Sequence, residues 1–257
     1  MEIGINSTYL SKTHKTGIEN YSSAVIFSLL KNDHLNHYRL FSPVDLPKDI
    51  LKLYPKTKIF ISPFTKGWHS LRLPLELRRH VVDLFFDPGY TIPPFVNTTC
   101  ISAVHDLAYK YYPEAYSKAQ SRSLDTSFKR LEKRANGLVF TSESTKKDFS
   151  KFFPNFKGKS KVIYQSIDRK CFAPVNNRPA KNNLITEEYI LSVGRLEKRK
   201  NTARLVKAYY LLRRLHPEFR YKLVLAGLHG YGYDEIRKTI NSDHNFSNDV
   251  IEIGYVK

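Results

Sequence analysis

Short apolar runs recur along the chain, each long enough for one buried β-strand. Many are apolar at consecutive positions, which is typical of strands that a parallel sheet buries on both faces. We therefore predict strands at Glu2–Asn6, Tyr38–Ser42, Lys58–Ser62, Asp83–Phe86, Thr99–Val104, Gly137–Thr141, Lys161–Gln165, Tyr189–Val193, Tyr221–Ala226 and Val250–Gly254.

Segments with helical periodicity separate these runs. Leu124, Phe128, Leu131 and Ala135 recur at the spacing of one helix face, and the lysines and arginines between them fall on the other faces. The same pattern returns over residues 205–215. Strands that alternate with helices along the whole chain predict an α/β fold with parallel sheets.

A polar stretch interrupts this alternation. Residues 171–187 contain two prolines and several asparagines, so we interpret them as a linker. Seven predicted strands precede the linker and three follow it. We therefore expect a complete Rossmann-like domain at residues 1–170 and a partial second one at residues 188–257, because three strands are half of a six-stranded dinucleotide-type sheet.

The composition narrows the classes of partner. The chain has 257 residues and a formal net charge of +18, which favours nucleic acid, anionic lipid or a phosphorylated substrate. We do not expect nucleic acid, because no zinc-ligand spacing, RNA-binding aromatic signature or helix-turn-helix pattern is present. A solvated, lysine-rich surface is the alternative, and charge alone does not choose between them.

The sequence also indicates a compartment. Two cysteines, Cys100 and Cys171, do not form a disulfide framework in a chain of this size, which favours a reducing cytosol. The N-terminus lacks the pattern of a signal peptide, and the longest apolar runs are too short to span a bilayer. We therefore expect a cytoplasmic protein.

The most specific chemistry follows strand Tyr189–Val193. The strand leads into the cationic loop 194–201, and a helix capped by Asn201 or Thr202 comes next. Such a loop binds phosphate through its backbone N–H groups and the helix dipole, and arginine and lysine side chains add full charges. From spacing alone, a phosphate site and a solvated basic loop are equally supported.

Four segments, in the right order, resemble retaining glycosyltransferases of family 4, which have the two-domain GT-B fold. The start of the family's second domain resembles residues 189–201 (YILSVGRLEKRKN). Motifs of its first domain resemble residues 16–21 (TGIENY), 104–107 (VHDL) and 140–146 (FTSESTK). The resemblance implies that Arg195 and Lys200 contact the diphosphate of a nucleotide-sugar donor.

Two further residues gain a role from the resemblance. His105 ends a predicted strand, and the family implies that it contacts the transferred sugar; the alternative is a loop histidine, with Asp106 capping the next helix. Gly17 would let the chain approach the donor closely, or would only form a turn. The family often has a second glycine where this chain has Glu19, which counts against a phosphate-binding role for this loop.

The remaining sequence motifs give weaker indications of a functional site. Gly227, Gly230 and Gly232 are expected to form an ordinary loop, although such glycines can also cradle a nucleotide. No Asp-x-Asp motif and no metal-ligand spacing around the histidines is present, so we expect no metal and no cofactor. The apolar, basic stretch Trp68–Val82 is expected to be a helix packed on the first sheet, with contact to an anionic membrane as the alternative.

Together, the resemblance implies a transferase that moves a hexose, such as mannose or glucose, from a nucleotide diphosphate sugar to a hydroxyl of a glycan or lipid-linked acceptor, with retention of configuration. The expected partners are this donor, this acceptor and, peripherally, an anionic membrane. The sequence ends before the family's segment of two glutamates that hold the donor, so we expect little activity from residues 1–257 alone. A non-catalytic truncated relative and a basic nucleic-acid-binding protein are the alternatives.

Overall fold

The computed structural model describes residues 1–12, 14–47, 50, 52, 54–62, 65–167 and 188–256. The predicted linker at residues 171–187 lies outside the described residues, and so does Cys171. The domain boundary placed there therefore stays a prediction.

The described chain divides into two compact units. One comprises Met1–Leu107 and Arg122–Ser166, and the other comprises Ala108–Ser121 and the chain from Ile167 onward. Each unit has its own parallel sheet.

The first unit is built on a seven-stranded sheet. Its strands lie in the order β3-β2-β1-β4-β5-β6-β7, and each neighbouring pair is parallel. The order reverses between β1 and β4, so their carboxyl ends form the topological switch point at which open α/β sheets bind ligands. The strand bounds are β1 (Glu2–Asn6), β2 (His37–Ser42), β3 (Thr57–Ile61), β4 (Leu84–Asp87), β5 (Thr99–Val104), β6 (Gly137–Phe140) and β7 (Lys159–Val162).

Helices follow most of the strands. Short 3-10 turns lie at Thr8–Ser11, Pro113–Ala115, Lys198–Lys200 and Ser247–Asp249, and a π-helical turn lies at Trp68–Arg72. The α-helices of the described residues are α1 (Gly17–Asn32), α2 (Leu73–Arg79), α3 (Ala108–Tyr111), α4 (Lys118–Arg134), α5 (Glu143–Phe152), α6 (Thr202–Leu215) and α7 (Tyr233–Ile240).

Aromatic packing beside β6 explains why α4 and α5 form here. Phe128 and Leu131 of α4 are fully buried, as the helical periodicity predicts. The ring of Phe128 stacks on Phe153 at 5.7 Å between centroids, and Phe149 of α5 contacts Phe140 of β6 at 5.4 Å. The apolar faces of both helices therefore cover the sheet, while Arg130 and Arg134 of α4 donate to the backbone oxygens of Ile92 and Val96.

The second unit contains a three-stranded parallel sheet in the order β10-β9-β8. The strands are β8 (Tyr189–Val193), β9 (Lys222–Ala226) and β10 (Val250–Gly254). Leu223 and Leu225 of β9 pack with Val206 of α6 and Ile236 of α7 in a separate buried cluster.

All ten predicted strands are present, and the fold class of alternating strands and helices is confirmed. The largest displacement is at β7, predicted at residues 161–165 and observed at Lys159–Val162. β8 differs from the buried strands that consecutive apolar positions typically indicate, because Tyr189, Leu191 and Val193 are 47%, 51% and 77% exposed. β8 is an edge strand among the described residues, so its apolar side chains lack a neighbouring strand.

No helix within the described ranges combines the length and the apolarity needed to cross a bilayer. The stretch predicted at Trp68–Val82 contains the π-helical turn and α2. Trp68, Leu73 and Leu77 are buried, so this stretch packs into the first unit as expected.

Candidate functional site

His105 lies directly after β5, as the sequence predicts. Its Nε2 lies 2.9 Å from the carbonyl oxygen of Pro88, and its Nδ1 lies 3.3 Å from the amide nitrogen of Gln165. The ring of Tyr21, on α1, packs edge-on against the imidazole at 4.6 Å between centroids. The side chain is therefore held by three different segments of the first unit.

These contacts fix the protonation state of His105. A carbonyl oxygen only accepts, so Nε2–H donates to Pro88, and the unprotonated Nδ1 accepts from the Gln165 amide. Burial lowers the pKa of His105 below its ordinary value, which keeps the ring neutral at pH 7. Both ring nitrogens are therefore engaged by protein groups, and a ligand can bond Nδ1 only by displacing the Gln165 amide.

A buried polar pair that the sequence analysis missed lies at the switch point. Asn6, which ends β1, donates through Nδ2 to Oδ2 of Asp87, which ends β4 (2.9 Å). Both residues are fully buried. Burial raises the pKa of Asp87 to about 7, although hydrogen bonds from Asn6, from the Gly89 N–H and from Tyr9 oppose the shift.

The only signal for this pair in the sequence is the position of each residue at the end of an apolar run. Their contact depends on β1 lying beside β4.

Gly17 is the first residue of α1. The backbone N–H of Thr16 donates to the Glu19 carboxylate at 2.9 Å, so Glu19 completes a capping box at the helix start. A Cβ built on Gly17 would meet nothing within 4 Å. The fold therefore does not require glycine at this position, and the open space leaves room for a ligand.

The loop of residues 194–201 connects β8 to α6 in the second unit. It contains the 3-10 turn Lys198–Lys200, and Asn201 stands at the N-cap position of α6, as predicted. Asn201 makes no side-chain capping bond and has a left-handed backbone with φ 56°. The loop thus places a cluster of cations at a helix N-terminus, where the helix dipole favours an anion.

Glu197 organises the cations of this loop. Its side chain is only 13% exposed and pairs with Arg199 at 2.8 Å and, more loosely, with Nε of Arg195 at 3.9 Å. The ammonium group of Lys200 has no partner among the described residues. Arg195 is half exposed, and Lys198 is 42% exposed with only a loose pair to Glu235 at 3.9 Å, so Arg195, Lys198 and Lys200 are all open to a bound anion.

The glycine loop after β9 supports the Arg195 loop directly. A Cβ on Gly227 would lie 1.9 Å from the carbonyl oxygen of Gly194, and a Cβ on Gly230 would lie 2.7 Å from the Cβ of Glu197. Backbone hydrogen bonds, such as Leu196 N–H to the Leu228 oxygen at 2.9 Å, join the two loops. The interpretation of these glycines as an ordinary loop was therefore incomplete, because their missing side chains let the two loops touch.

Three polar side chains lie beside Arg195. The rings of His229 and Tyr233 stack at 3.5 Å between centroids, and Glu252 of β10 bonds both, at 3.1 Å to His229 Nε2 and 2.9 Å to the Tyr233 hydroxyl. Nη2 of Arg195 donates to the backbone oxygen of His229 (3.4 Å). Local sequence pattern does not predict this cluster, because the contacts of Glu252 with His229 and Tyr233 depend on β10 lying beside β9.

The predicted site residues thus fall into two groups. Gly17 and His105 belong to the first unit, where Tyr21 of α1 contacts the His105 ring. Arg195 and Lys200 share one loop of the second unit. The expectation that His105, Arg195 and Lys200 face one cleft between two lobes stays a prediction. Within the described ranges, no group of three or more His, Cys, Asp or Glu side chains is placed to hold a metal ion.

No protein-family model matches the chain. Over 170 residues the chain is 25% identical to the O-antigen chain mannosyltransferase B of Escherichia coli. This match covers 65% of the chain and 44% of the mannosyltransferase, so it spans less than half the length of that curated relative.

Two solved structures share the fold along the whole chain. Sucrose-phosphate synthase from Thermosynechococcus elongatus is 16% identical with a TM-score of 0.66, and the match covers 100% of this chain and 71% of that one. Anabaena HepE, solved in complex with UDP-glucose, is 16% identical with a TM-score of 0.61, and the match covers 100% and 70%. The chain therefore has a glycosyltransferase-like GT-B fold, which confirms the predicted fold class.

Proposed function

We propose that this chain belongs to a retaining glycosyltransferase of family 4, which transfers a hexose from a nucleotide diphosphate sugar to a hydroxyl group of its acceptor. The resemblance of the four sequence motifs supports the family and the retention of configuration. The GT-B fold and the similarity to a mannosyltransferase support the reaction class.

The loop of residues 194–201 is the observation that carries the proposal. It follows a parallel strand and precedes a helix N-terminus, and it exposes Arg195 and Lys200. Glu197 and the glycine loop hold its backbone and its arginines in place before any ligand binds. A preformed cationic loop of this kind suits a diphosphate, whose charge two cations and a helix dipole can share.

The chemistry follows from where charge develops. When the bond from the sugar to the diphosphate breaks, negative charge grows on the leaving phosphate oxygens, and Arg195 and Lys200 stabilise that charge electrostatically. The neutral His105 ring positions the transferred sugar by accepting a hydrogen bond at Nδ1 in place of the one from the Gln165 amide, and Gly17 leaves space for the donor at the start of α1. The scheme uses no metal and no cofactor.

The proposed acceptor is a glycan or a lipid-linked sugar on the cytoplasmic side of a membrane. The similar mannosyltransferase of Escherichia coli is named for an O-antigen chain. This name supports a growing polysaccharide as the acceptor. Mannose or glucose is the proposed hexose.

Peripheral contact with an anionic membrane is also part of the proposal, supported by a surface near α2. Leu71 of the π-helical turn and Leu75 of α2 are 70% and 43% exposed, and Arg78 follows Leu75 by three residues on α2. Arg78 donates to the backbone oxygen of Phe95 at 3.1 Å, and Phe95 is 71% exposed. Exposed apolar side chains beside arginines are typical of interfacial surfaces.

Vesicle co-sedimentation tests this contact. The double variant Leu71→Glu, Leu75→Glu should bind vesicles of phosphatidylcholine and phosphatidylglycerol more weakly than the wild type. Leu215→Glu, which changes a leucine that is 67% exposed in the second unit, should bind as the wild type does. Equal binding by all three proteins would remove the membrane contact from the proposal.

Calorimetric titration with UDP and GDP tests the donor site. Arg195→Ala should weaken nucleotide binding about tenfold or more, because hydrogen bonds to charged groups contribute about 1.5–3 kcal/mol. Arg220→Ala is the matched control, since this exposed arginine precedes β9 and therefore lies at the opposite edge of the sheet. Nucleotide binding that Arg195→Ala leaves unchanged would contradict the assignment of the donor site to this loop.

RNA binding with steep salt dependence, and no nucleotide binding, would instead favour the nucleic-acid alternative.

A further inference from the structure

A cavity of about 790 Å³ opens at the carboxyl ends of β1, β2 and β3. Its walls come from the segments that follow these strands and include Lys12, Asp45, Thr65, Trp68 and Ser70. It lies on the same edge of the sheet as His105, on the other side of the switch point.

Four polar groups on the cavity wall are unengaged. The Lys12 ammonium, the Asp45 carboxylate and the hydroxyls of Thr65 and Ser70 have no side-chain partner within the described ranges. Lys12 offers donors, Asp45 offers acceptors, and a hydroxyl can do both. The cavity therefore presents a mixed set of hydrogen-bonding groups of both charges.

This mixture selects a class of ligand. An anion would be repelled by Asp45, and a cation by Lys12. An apolar ligand would bury all four polar groups without hydrogen bonds, which is costly. A neutral molecule rich in hydroxyls satisfies every group, because each of its hydroxyls both donates and accepts.

The wall that follows β3 is built from an uncommon element. Gly67, with φ 69°, leads into the π-helical turn Trp68–Arg72, and π-helical turns occur frequently at functional sites. Nε of Arg72 donates to the Ser62 hydroxyl at 2.6 Å and pairs with Glu76 at 2.9 Å. These contacts fix the shape of the wall in the free protein.

The cavity is too far from His105 for one sugar to reach both. The cavity wall nearest to His105 follows β1, which lies two strand spacings, or about 10 Å, from β5. A ligand that contacts both must be a chain of several sugar units.

We propose that this cavity is a saccharide subsite that holds a distal sugar of the acceptor while the reacting end lies near His105. The acceptor is then an oligosaccharide chain rather than a single sugar or a small alcohol. The inference rests on the proposed function for the reacting end, whereas the saccharide affinity of the cavity does not depend on the donor.

Tryptophan fluorescence tests the subsite, because Trp68 is the single tryptophan of the chain and lines the cavity. The full chain is titrated with α-linked manno- and gluco-oligosaccharides of one to four units. We expect a saturable change in emission, and an affinity that Asp45→Asn lowers about tenfold. Asp125→Asn is the matched control, because Asp125 pairs with Lys129 on α4 outside the cavity wall.

The variant His105→Ala tests whether the cavity is part of the acceptor site or binds sugars independently of His105. It should weaken binding of the four-unit chains more than binding of the single sugars. No saturable response to any saccharide, or the same affinity in Asp45→Asn and the wild type, would overturn the subsite. Four-unit chains that bind no more tightly than single sugars would overturn its assignment to the acceptor.

Calorimetry with UDP and GDP distinguishes the two proposals. Saccharide binding without nucleotide binding would leave the subsite standing and remove the transferase. Nucleotide binding without saccharide binding would leave the transferase standing and remove the subsite.

Discussion

Among single residues, Gly227 and Gly17 stand in contrasting surroundings. A Cβ on Gly227 would lie 1.9 Å from the backbone oxygen of Gly194, whereas a Cβ on Gly17 would meet nothing within 4 Å. A backbone atom cannot rotate away, so we predict that Gly227→Ala lowers the free energy of unfolding by about 1–3 kcal/mol. The same change should weaken UDP binding, because it displaces the Arg195 loop.

Gly17→Ala is the matched control for this prediction. Its free energy of unfolding should equal or slightly exceed that of the wild type, because alanine is favourable in a helix and meets no neighbour. Urea unfolding measures the free energy of unfolding of both variants, and calorimetric titration measures their affinity for UDP. A Gly227→Ala protein with unchanged stability and unchanged UDP affinity would show that the two loops do not pack as described.

The buried carboxyl group of Asp87 should make stability depend on pH. Burial raises its pKa from 3.8 to about 7. Between about pH 4 and pH 7, the native state therefore keeps a proton that the unfolded chain has released, and the free energy of unfolding falls as pH rises. The fall attributable to Asp87 is on the order of a few kcal/mol.

Asp87→Asn isolates this contribution, because asparagine does not titrate. Urea unfolding at several pH values should give a stability that falls less steeply with pH in Asp87→Asn than in the wild type. Asp125→Asn, which alters a surface pair with Lys129, should keep the slope of the wild type. Identical slopes in the wild type and Asp87→Asn would contradict the raised pKa.

The sequence predicts some site residues and not others for a physical reason. Arg195 and Lys200 follow an apolar run and precede an amphipathic helix, so their place after a strand can be predicted from local pattern. The contact between Asn6 and Asp87 depends on β1 lying beside β4, which local pattern does not determine. The support that Gly227 gives to the Arg195 loop likewise depends on β9 lying beside β8.

At the scale of elements, apolar runs predicted the strands well because parallel strands are buried on both faces. β7 was displaced because the run at residues 161–165 carries the apolar signal, while pairing with β6 starts at Lys159. β8 is the exception, because it is an apolar run whose side chains are largely exposed. Whether a strand is central or at an edge depends on the order of strands, and not on its own residues.

The exposed face of β8 should promote self-association. Ile190 and Leu191 are 37% and 51% exposed, and one edge of β8 has no strand beside it among the described residues. A charged residue on an edge strand blocks pairing with another chain. We predict that Leu191→Lys lowers the fraction of oligomer in sedimentation velocity at high protein concentration.

Leu35→Lys is the control for this edge effect, because Leu35 is 89% exposed in the first unit, away from any sheet edge. It adds the same charge and should leave the oligomer fraction as in the wild type. An equal decrease in both variants would mean that net charge, and not the β8 edge, controls association.

At the scale of the whole molecule, the net charge of +18 is divided among surfaces of different kinds. The Arg195 loop combines cations with a helix N-terminus, which suits a compact diphosphate. The α2 surface combines arginines with exposed leucines, which suits a membrane interface. The two anionic partners that we propose, a donor diphosphate and a membrane, thus correspond to two separate cationic surfaces.

Hydrogen–deuterium exchange, with and without a sugar nucleotide, tests the central claim most directly. In the presence of GDP-mannose or UDP-glucose, we predict slower exchange at the amides of residues 194–203 and of the glycine loop 227–232, which the Arg195 loop contacts. Arg195→Ala should abolish this protection, and Arg220→Ala should retain it. Protection confined to other segments, or protection that persists in Arg195→Ala, would contradict the proposal that this loop binds the donor diphosphate.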